Sequence, residues 1–288
     1  MRWIAICLSL LAAVALAYGA QFQNSAVVKI GKGEEQSHGA GLKQLMTLIR
    51  KPRWLTGTSL LFAGALLQIA AISLAPLIVV QPLGGIALVI TSLANARATK
   101  NKLNGPTWLA ITLCTLGIGI FVTVASSVAE DTKLEESNLI AILQVLAVIF
   151  VVFGVLFYLF GRKLKALAYI TGAGILYGFV ASLIKAVVQR VIQGEFTFLT
   201  FICVVVLGLS LLLGSWFVQN AYSSGPPDLV IAGLTVIDPM VAVLVGVIIL
   251  NEAAGAPALS LIAFVLSGAL AVIGVYLLSR VHPELRND

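Results

Sequence analysis

Residues 230–250 read VIAGLTVIDPMVAVLVGVIIL. Apart from Asp238, nothing in this run resists transfer into hydrocarbon, and at 21 residues it is long enough to cross it. A carboxylate at the middle, followed directly by Pro239, is the feature that needs an account. An ionised Asp at the centre of a transmembrane helix costs about 2.5–3.5 kcal/mol on insertion scales, so it must face protein or water rather than lipid. The proline removes a backbone N–H and leaves a carbonyl free for a ligand or water.

The rest of the chain has the same character. Of its 288 residues, 60% are hydrophobic and 10% charged, with a mean hydropathy of +1.06. Soluble domains carry about 25% charged residues. The sequence therefore predicts an all-α polytopic membrane protein, since a β-barrel would show short alternating segments instead. Nine apolar segments are expected, near 3–27, 54–73, 75–96, 106–127, 139–160, 166–190, 197–220, 229–250 and 258–280. Breaks at Leu74-Ala75-Pro76 and Gly225-Pro226-Pro227 separate neighbouring spans.

The first segment resembles a secretory signal, with Arg2, an apolar core and small residues at Ala15 and Ala17. Cleavage there would export Lys29, Lys32, Lys43, Arg50, Lys51 and Arg53, against the positive-inside tendency, so an uncleaved helix is expected. With the N-terminus outside, the cytoplasmic segments also gain Arg97, Lys100, Lys102, Arg162, Lys163, Lys165, Arg280 and Arg286. The outside keeps only Arg2, Lys133 and Arg190, and its loop 128–138 is acidic through Glu130, Asp131, Glu135 and Glu136. The expected topology is N-terminus out and C-terminus cytoplasmic.

Short matches in the same order suggest two related halves. Tyr18-Gly19 and Tyr177-Gly178 precede Ala-Val-Val at 26–28 and 186–188. Gln68-Ile69-Ala70 and Gln219-Asn220-Ala221 each lead to a proline break. Gln81-Pro82 and Asp238-Pro239 follow inside the next span. The expected plan is a 4+1+4 inverted repeat: residues 1–127 with a cytoplasmic loop at 28–53, an acidic loop and linker helix at 128–165, and a second repeat at 166–288. Interrupted helices at the interface of inverted repeats are a recurring transporter device.

Residues 50–85, RKPRWLTGTSLLFAGALLQIAAISLAPLIVVQPLGG, and 101–122, NKLNGPTWLAITLCTLGIGIFV, carry a resemblance. Their basic-Pro-x-Trp entry, Gly-rich helix, Ala-Pro turn, Pro-Leu-Gly motif and Lys-Leu-Asn loop resemble the NIPA-like branch of the drug/metabolite transporter superfamily. Lys185-Ala186 matches a pair in the corresponding NIPA-like helix. The spacing from Pro239 to Glu252 resembles the EamA-type repeat of the same superfamily. The sequence departs from the branch at Lys100-Asn101, where a carboxylate is usual, and at Asp238, where one is not. The resemblance implies a secondary carrier of a plasma or inner membrane, with a central site between inverted halves.

The candidate substrate- or proton-binding residues are Asp238, Gln81, Lys185, Gln68, Asn220, Tyr18 and Tyr177, with Pro82 and Pro239 as helix breaks. Gln81 mirrors Asp238. Lys185 lies roughly 10 Å past its helix centre and is read either as the ionic partner of Asp238 or as snorkelling to the outer interface. For Tyr18 and Tyr177 the packing reading leads. Gln21, Asn24, Asn95 and Gln219 are expected to bond between helices. Gly174 and Gly178 read as close helix packing. Asn251 and Glu252 read as solvated helix caps. Cys7, Cys114 and Cys203 read as membrane-buried thiols, and His38 and His282 as surface residues.

The sequence has no Walker loop, HExxH, nucleophile elbow or metal-spaced Cys/His set, so an enzyme is not expected and no cofactor is called for. The expected partners are a small-molecule or ion substrate and the lipid bilayer, not nucleic acid, with the oligomeric state open. The leading reading is a carrier of a small polar or amphipathic solute, coupled to an ion or proton and working by alternating access. The alternatives are a NIPA-like magnesium transporter, a non-transporting membrane scaffold and a flippase for a lipid-linked substrate.

Overall fold

The computed structural model describes residues 2–31, 51–99, 104–130, 133–160 and 165–281. Among these the secondary structure is helical throughout, with no strand. In chain order the helices are α1 (Arg2–Gly31), α2 (Pro52–Leu74), α3 (Leu77–Val80), α4 (Ile86–Thr99), α5 (Gly105–Val128), α6 (Glu136–Phe160), α7 (Ala166–Ile192), α8 (Phe198–Ser224), α9 (Pro227–Ile248) and α10 (Ala258–Val281). A 3₁₀ turn, Gln81–Gly85, joins α3 to α4, and the three together make one span. The described residues thus hold nine stretches long and apolar enough to cross a membrane. The helix of α1 runs to Gly31, so the expected loop at 28–53 begins later than read. His38, His282, Lys32, Lys43, Arg50, Lys100, Asn101, Lys102, Asp131, Arg162, Lys163 and Arg286 lie outside the described residues.

The helix ends follow local chemistry. Pro52 and Pro227 occupy first-turn positions, where a missing N–H costs nothing. Ala75 and Gly225 are extended at φ −150° and −160°, because the prolines after them exclude the helical conformation. Asn104 caps α5 by accepting from the Thr107 N–H at 3.0 Å, and Thr197 caps α8 through a reciprocal pair with Thr200.

Helices pair as α1 with α2, α5 with α10, α7 with α8, and α7 with α9; α9 also touches α3, the 3₁₀ turn and α10. Small residues set the tightest crossings. A Cβ built on Gly274 would lie 2.3 Å from the Cys114 N, and one on Gly117 would lie 2.4 Å from the Ala271 N. The α5 and α10 backbones therefore touch, which is how membrane helices associate without a hydrophobic drive between them. Gly274→Val is expected to cost about 1–3 kcal/mol through overpacking. Equilibrium unfolding in mixed micelles measures this; an unchanged midpoint would contradict a backbone-to-backbone crossing.

Two apolar cores result. The larger is built mainly by α7 with α2, α6, α8 and α9, the smaller by α3, α5 and α10. Helix α6 packs on α8 through Phe153 and Phe157, each 5.3 Å from the Phe217 ring, and buries Leu139, Ile142 and Leu146 in the larger core. Large apolar side chains such as Tyr158, Phe198 and Leu259 point outward, as a lipid-facing surface requires.

Candidate functional site

Asp238 sits inside α9, and Pro239 is accommodated within the continuous helix. Having no N–H, Pro239 leaves the Thr235 carbonyl without its helical donor. The Asp238 Oδ1 is enclosed and has no hydrogen-bond partner among the described residues. The α9 backbone here rests directly on α7. A Cβ on Gly178 would lie 2.8 Å from the Asp238 carbonyl oxygen, and one on Gly174 would lie 3.5 Å from its N. Gly174 and Gly178 thus act as the close-packing stripe expected from their spacing.

The partner segment is the broken third span. Gln81 opens the 3₁₀ turn and is 7% exposed, and Pro82 follows in its first turn. This turn and α3 both pack against α9, so the two proline-bearing segments meet. The two breaks differ in kind: Pro82 interrupts the α-helix, whereas Pro239 does not. Beside the first, Ser9 Oγ donates to Gln68 Oε1 at 3.2 Å and reaches Val80 O at 3.5 Å. Ser9 was not singled out by sequence, since one serine in an apolar run carries no pattern.

Other candidates are placed elsewhere. The Tyr177 hydroxyl is 3.3 Å from Ser215 Oγ, and its ring covers Gly214, so it fills the α7–α8 crossing. Asn220 Nδ2 donates to the Trp216 carbonyl of its own helix at 2.7 Å. Tyr18 lines a cavity of about 540 Å³ with Gln21, Phe22, Arg53, Thr56, Ala94 and Arg97. That cavity opens at the end of the bundle where α1 leaves and α2 begins, called here the Arg53 end.

At the opposite, Arg2 end, Arg2 donates to the carbonyls of Ser126 and Ala129. Here the reading of Lys185 is corrected. It neither pairs with Asp238 nor snorkels: it is 3% exposed, and its Nζ donates to Glu252 Oε1 at 2.8 Å and to the Ala75 carbonyl at 3.1 Å. Glu252 is not a solvated cap either, being 1% exposed. It accepts from the Leu77 N–H at 2.9 Å and the Ile78 N–H at 3.0 Å. The cause is the chain reversal after α9. Asn251 takes φ +55°, the left-handed region that Asn tolerates better than most residues, and this turns Glu252 inward. The available signal was Lys185 itself, a cation within a span that needs a carboxylate at its own depth.

Also at this end, Arg190 pairs with Glu195 and, at 3.6 Å, with Glu136, beside a cavity of about 850 Å³. Among the described residues no group of three or more His, Cys, Asp or Glu side chains could hold a metal ion.

The family described as "Magnesium transporter NIPA" matches residues 2–283. The chain belongs to that family. It is 27% identical over 213 residues to "Probable magnesium transporter NIPA9" of Arabidopsis thaliana, covering 70% of this chain and 60% of the plant protein. The chain thus spans under two thirds of that relative's length. It is 26% identical over 250 residues to an uncharacterized protein of Corynebacterium glutamicum, covering 86% and 85% of the two chains. No solved structure matches. The family match and the apolar stretches among the described residues together make this an integral membrane protein.

Proposed function

We propose that the chain is a secondary carrier that moves Mg²⁺ across a plasma or inner membrane by alternating access, with Asp238 as its central ligand. The supporting observation is the enclosed Asp238 Oδ1, which has no partner, beside a carbonyl that Pro239 cannot satisfy. A native structure leaves few such groups unpaired without a functional reason. Mg²⁺ keeps several of its waters and takes one or two carboxylates, so a single acid suits it as a partly hydrated ion. Asp238 would supply charge, while the Thr235 carbonyl and the Gln81 side-chain oxygen would accept from the ion's water shell. Gln68, Tyr18 and Lys185 would contribute less directly, through the packing of the path and its ends; Tyr177 would hold α7 on α8, and Asn220, bonded within α8, would support that helix.

The membrane supplies the drive. Moving one charge through 100 mV is worth about 2.3 kcal/mol, and a divalent ion gains twice that, so inward movement needs no nucleotide. The architecture in this proposal is a 4+1+4 inverted repeat with its N-terminus outside, its C-terminus cytoplasmic, and halves at 1–127 and 166–288 joined by 128–165. The helix pairs favour it. Contacts of α1 with α2 and α4 mirror those of α7 with α8 and α9, and α5 meets α10 as equivalent elements would.

A small organic cation is the second reading, favoured by the solitary charge of Asp238. Purified protein in vesicles with an internal Mg²⁺-sensitive dye separates the two. Saturable Mg²⁺ entry that increases with inside-negative potential is expected; entry no faster than in protein-free vesicles would remove magnesium as cargo.

A further inference from the structure

Among the described residues, four hydrogen bonds link Lys185, Glu252 and the Ala75–Ile78 backbone at the Arg2 end, and three of them join the proposed halves. The Leu77 and Ile78 N–H groups of the first half donate to Glu252 of the second, and Lys185 of the second donates to the Ala75 carbonyl of the first. The fourth, Lys185 to Glu252, is internal to the second half.

The local backbone is shaped to deliver that carboxylate. After α9 ends, the Glu252 N–H donates back to the Gly246 carbonyl at 3.0 Å. Gly246 leaves the space the carboxylate fills, since a Cβ there would lie 2.6 Å from Glu252 Oε2 and 3.3 Å from the Leu77 Cβ. The Glu252 carbonyl accepts from the Glu130 N–H at 2.8 Å, and Asn138 Nδ2 donates to the Ile249 carbonyl at 2.8 Å, tying the hook to the loop before α6 and to the first turn of α6.

A buried ion pair is poor glue, because apolar side chains of similar volume often hold a core as well or better. An ionic seam differs from an apolar one in how it opens. Water can replace each bond from Glu252 and Lys185 to the Ala75–Ile78 backbone at little net cost. Because both charged residues sit in the same half, they remain paired while this happens, and no bare charge is left in the opening.

We propose that Lys185 and Glu252 form the gate of the carrier at the Arg2 end, moving as an intact pair that grips the Ala75–Ile78 turn when closed and releases it when open. The proposal rests on the alternating-access reading, but its test reads closure rather than flux.

The reporter is Leu77→Cys, whose side chain faces Gly246 across the seam and is fully buried. It is placed in a background with Cys7, Cys114 and Cys203 changed to Ala, and Lys133→Cys marks the same end of the molecule. A membrane-impermeant maleimide is added to oriented vesicles from the Lys133 side. Labelling of the reporter should be slow in the parent. It should accelerate by at least about tenfold in Gly246→Ala, which crowds the carboxylate, and in Lys185→Met/Glu252→Gln, which removes both charges without stranding either. If the double variant does not fold, Gly246→Ala decides alone. Folded variants that label no faster than the parent would overturn the gate. Faster labelling without any Mg²⁺ flux would uphold the gate and remove only the cargo.

Discussion

Asp238→Asn and Asp238→Leu are expected to reduce Mg²⁺ uptake by at least about 10- to 100-fold, the scale on which losing support for a bound metal acts. The same Leu variant is expected to unfold later than the parent. The reason lies in the enclosed Oδ1, which has no hydrogen-bond partner among the described residues. A buried polar atom without a hydrogen bond costs about 1–3 kcal/mol, and an apolar side chain in its place recovers much of that. A site that binds a transient cargo must carry this cost between turnovers, because the cargo is the missing partner. If Asp238 instead pinned α9 to α7, removing it would lower stability and would affect transport only through misfolding. Uptake and unfolding measured on one preparation separate these cases. A Leu variant that is less stable and still carries Mg²⁺ would end the role of Asp238 as ligand.

Hydropathy and proline placement made the spans legible, because bilayer thickness and the missing proline N–H act on the chain locally. The breaks at Pro76 and Pro226 therefore fall where they were read. The Gly174 and Gly178 stripe was legible for a similar reason: a four-residue spacing returns to the same helix face. Partnership was not legible. Asp238 and Lys185 are the charges that hydropathy leaves well inside the spans after residue 166, so the sequence offers Lys185 two readings, a pair with Asp238 or an approach to the outer interface. The pairing that forms depends on the conformation of Asn251, which swings Glu252 beneath Leu77, and no hydropathy window reports a backbone angle. Tyr177 was ambiguous because a helix places neighbouring residues on different faces. Gly178 faces α9, while Tyr177, one position earlier, covers Gly214 of α8.

The correction to Lys185 leads to the second large effect. Lys185→Met is expected to destabilise the protein by about 3–5 kcal/mol, the usual consequence of leaving one member of a buried ion pair alone. Glu252 would retain the Leu77 and Ile78 N–H donors but lose the only positive charge within hydrogen-bond reach among the described residues. Glu252→Gln is expected to cost a similar amount, because it leaves the buried ammonium without a counter-charge and turns an amide NH2 toward a backbone N–H that now needs an acceptor. The double variant leaves no charge buried, so its cost should be well below the sum of the two single ones. This non-additivity is what distinguishes the pair from two independent packing residues: side chains in contact couple by about 0.5–3 kcal/mol, whereas distant sites add. The pair is almost wholly shielded, with side chains 4% and 2% exposed, so added salt should reduce the coupling little compared with that of a surface pair. Unfolding free energies for the parent, both single variants and the double variant, at low and high salt, test both points. Strict additivity would mean that Lys185 and Glu252 act separately, and the architecture of the closed Arg2 end would then have to rest on its backbone bonds alone.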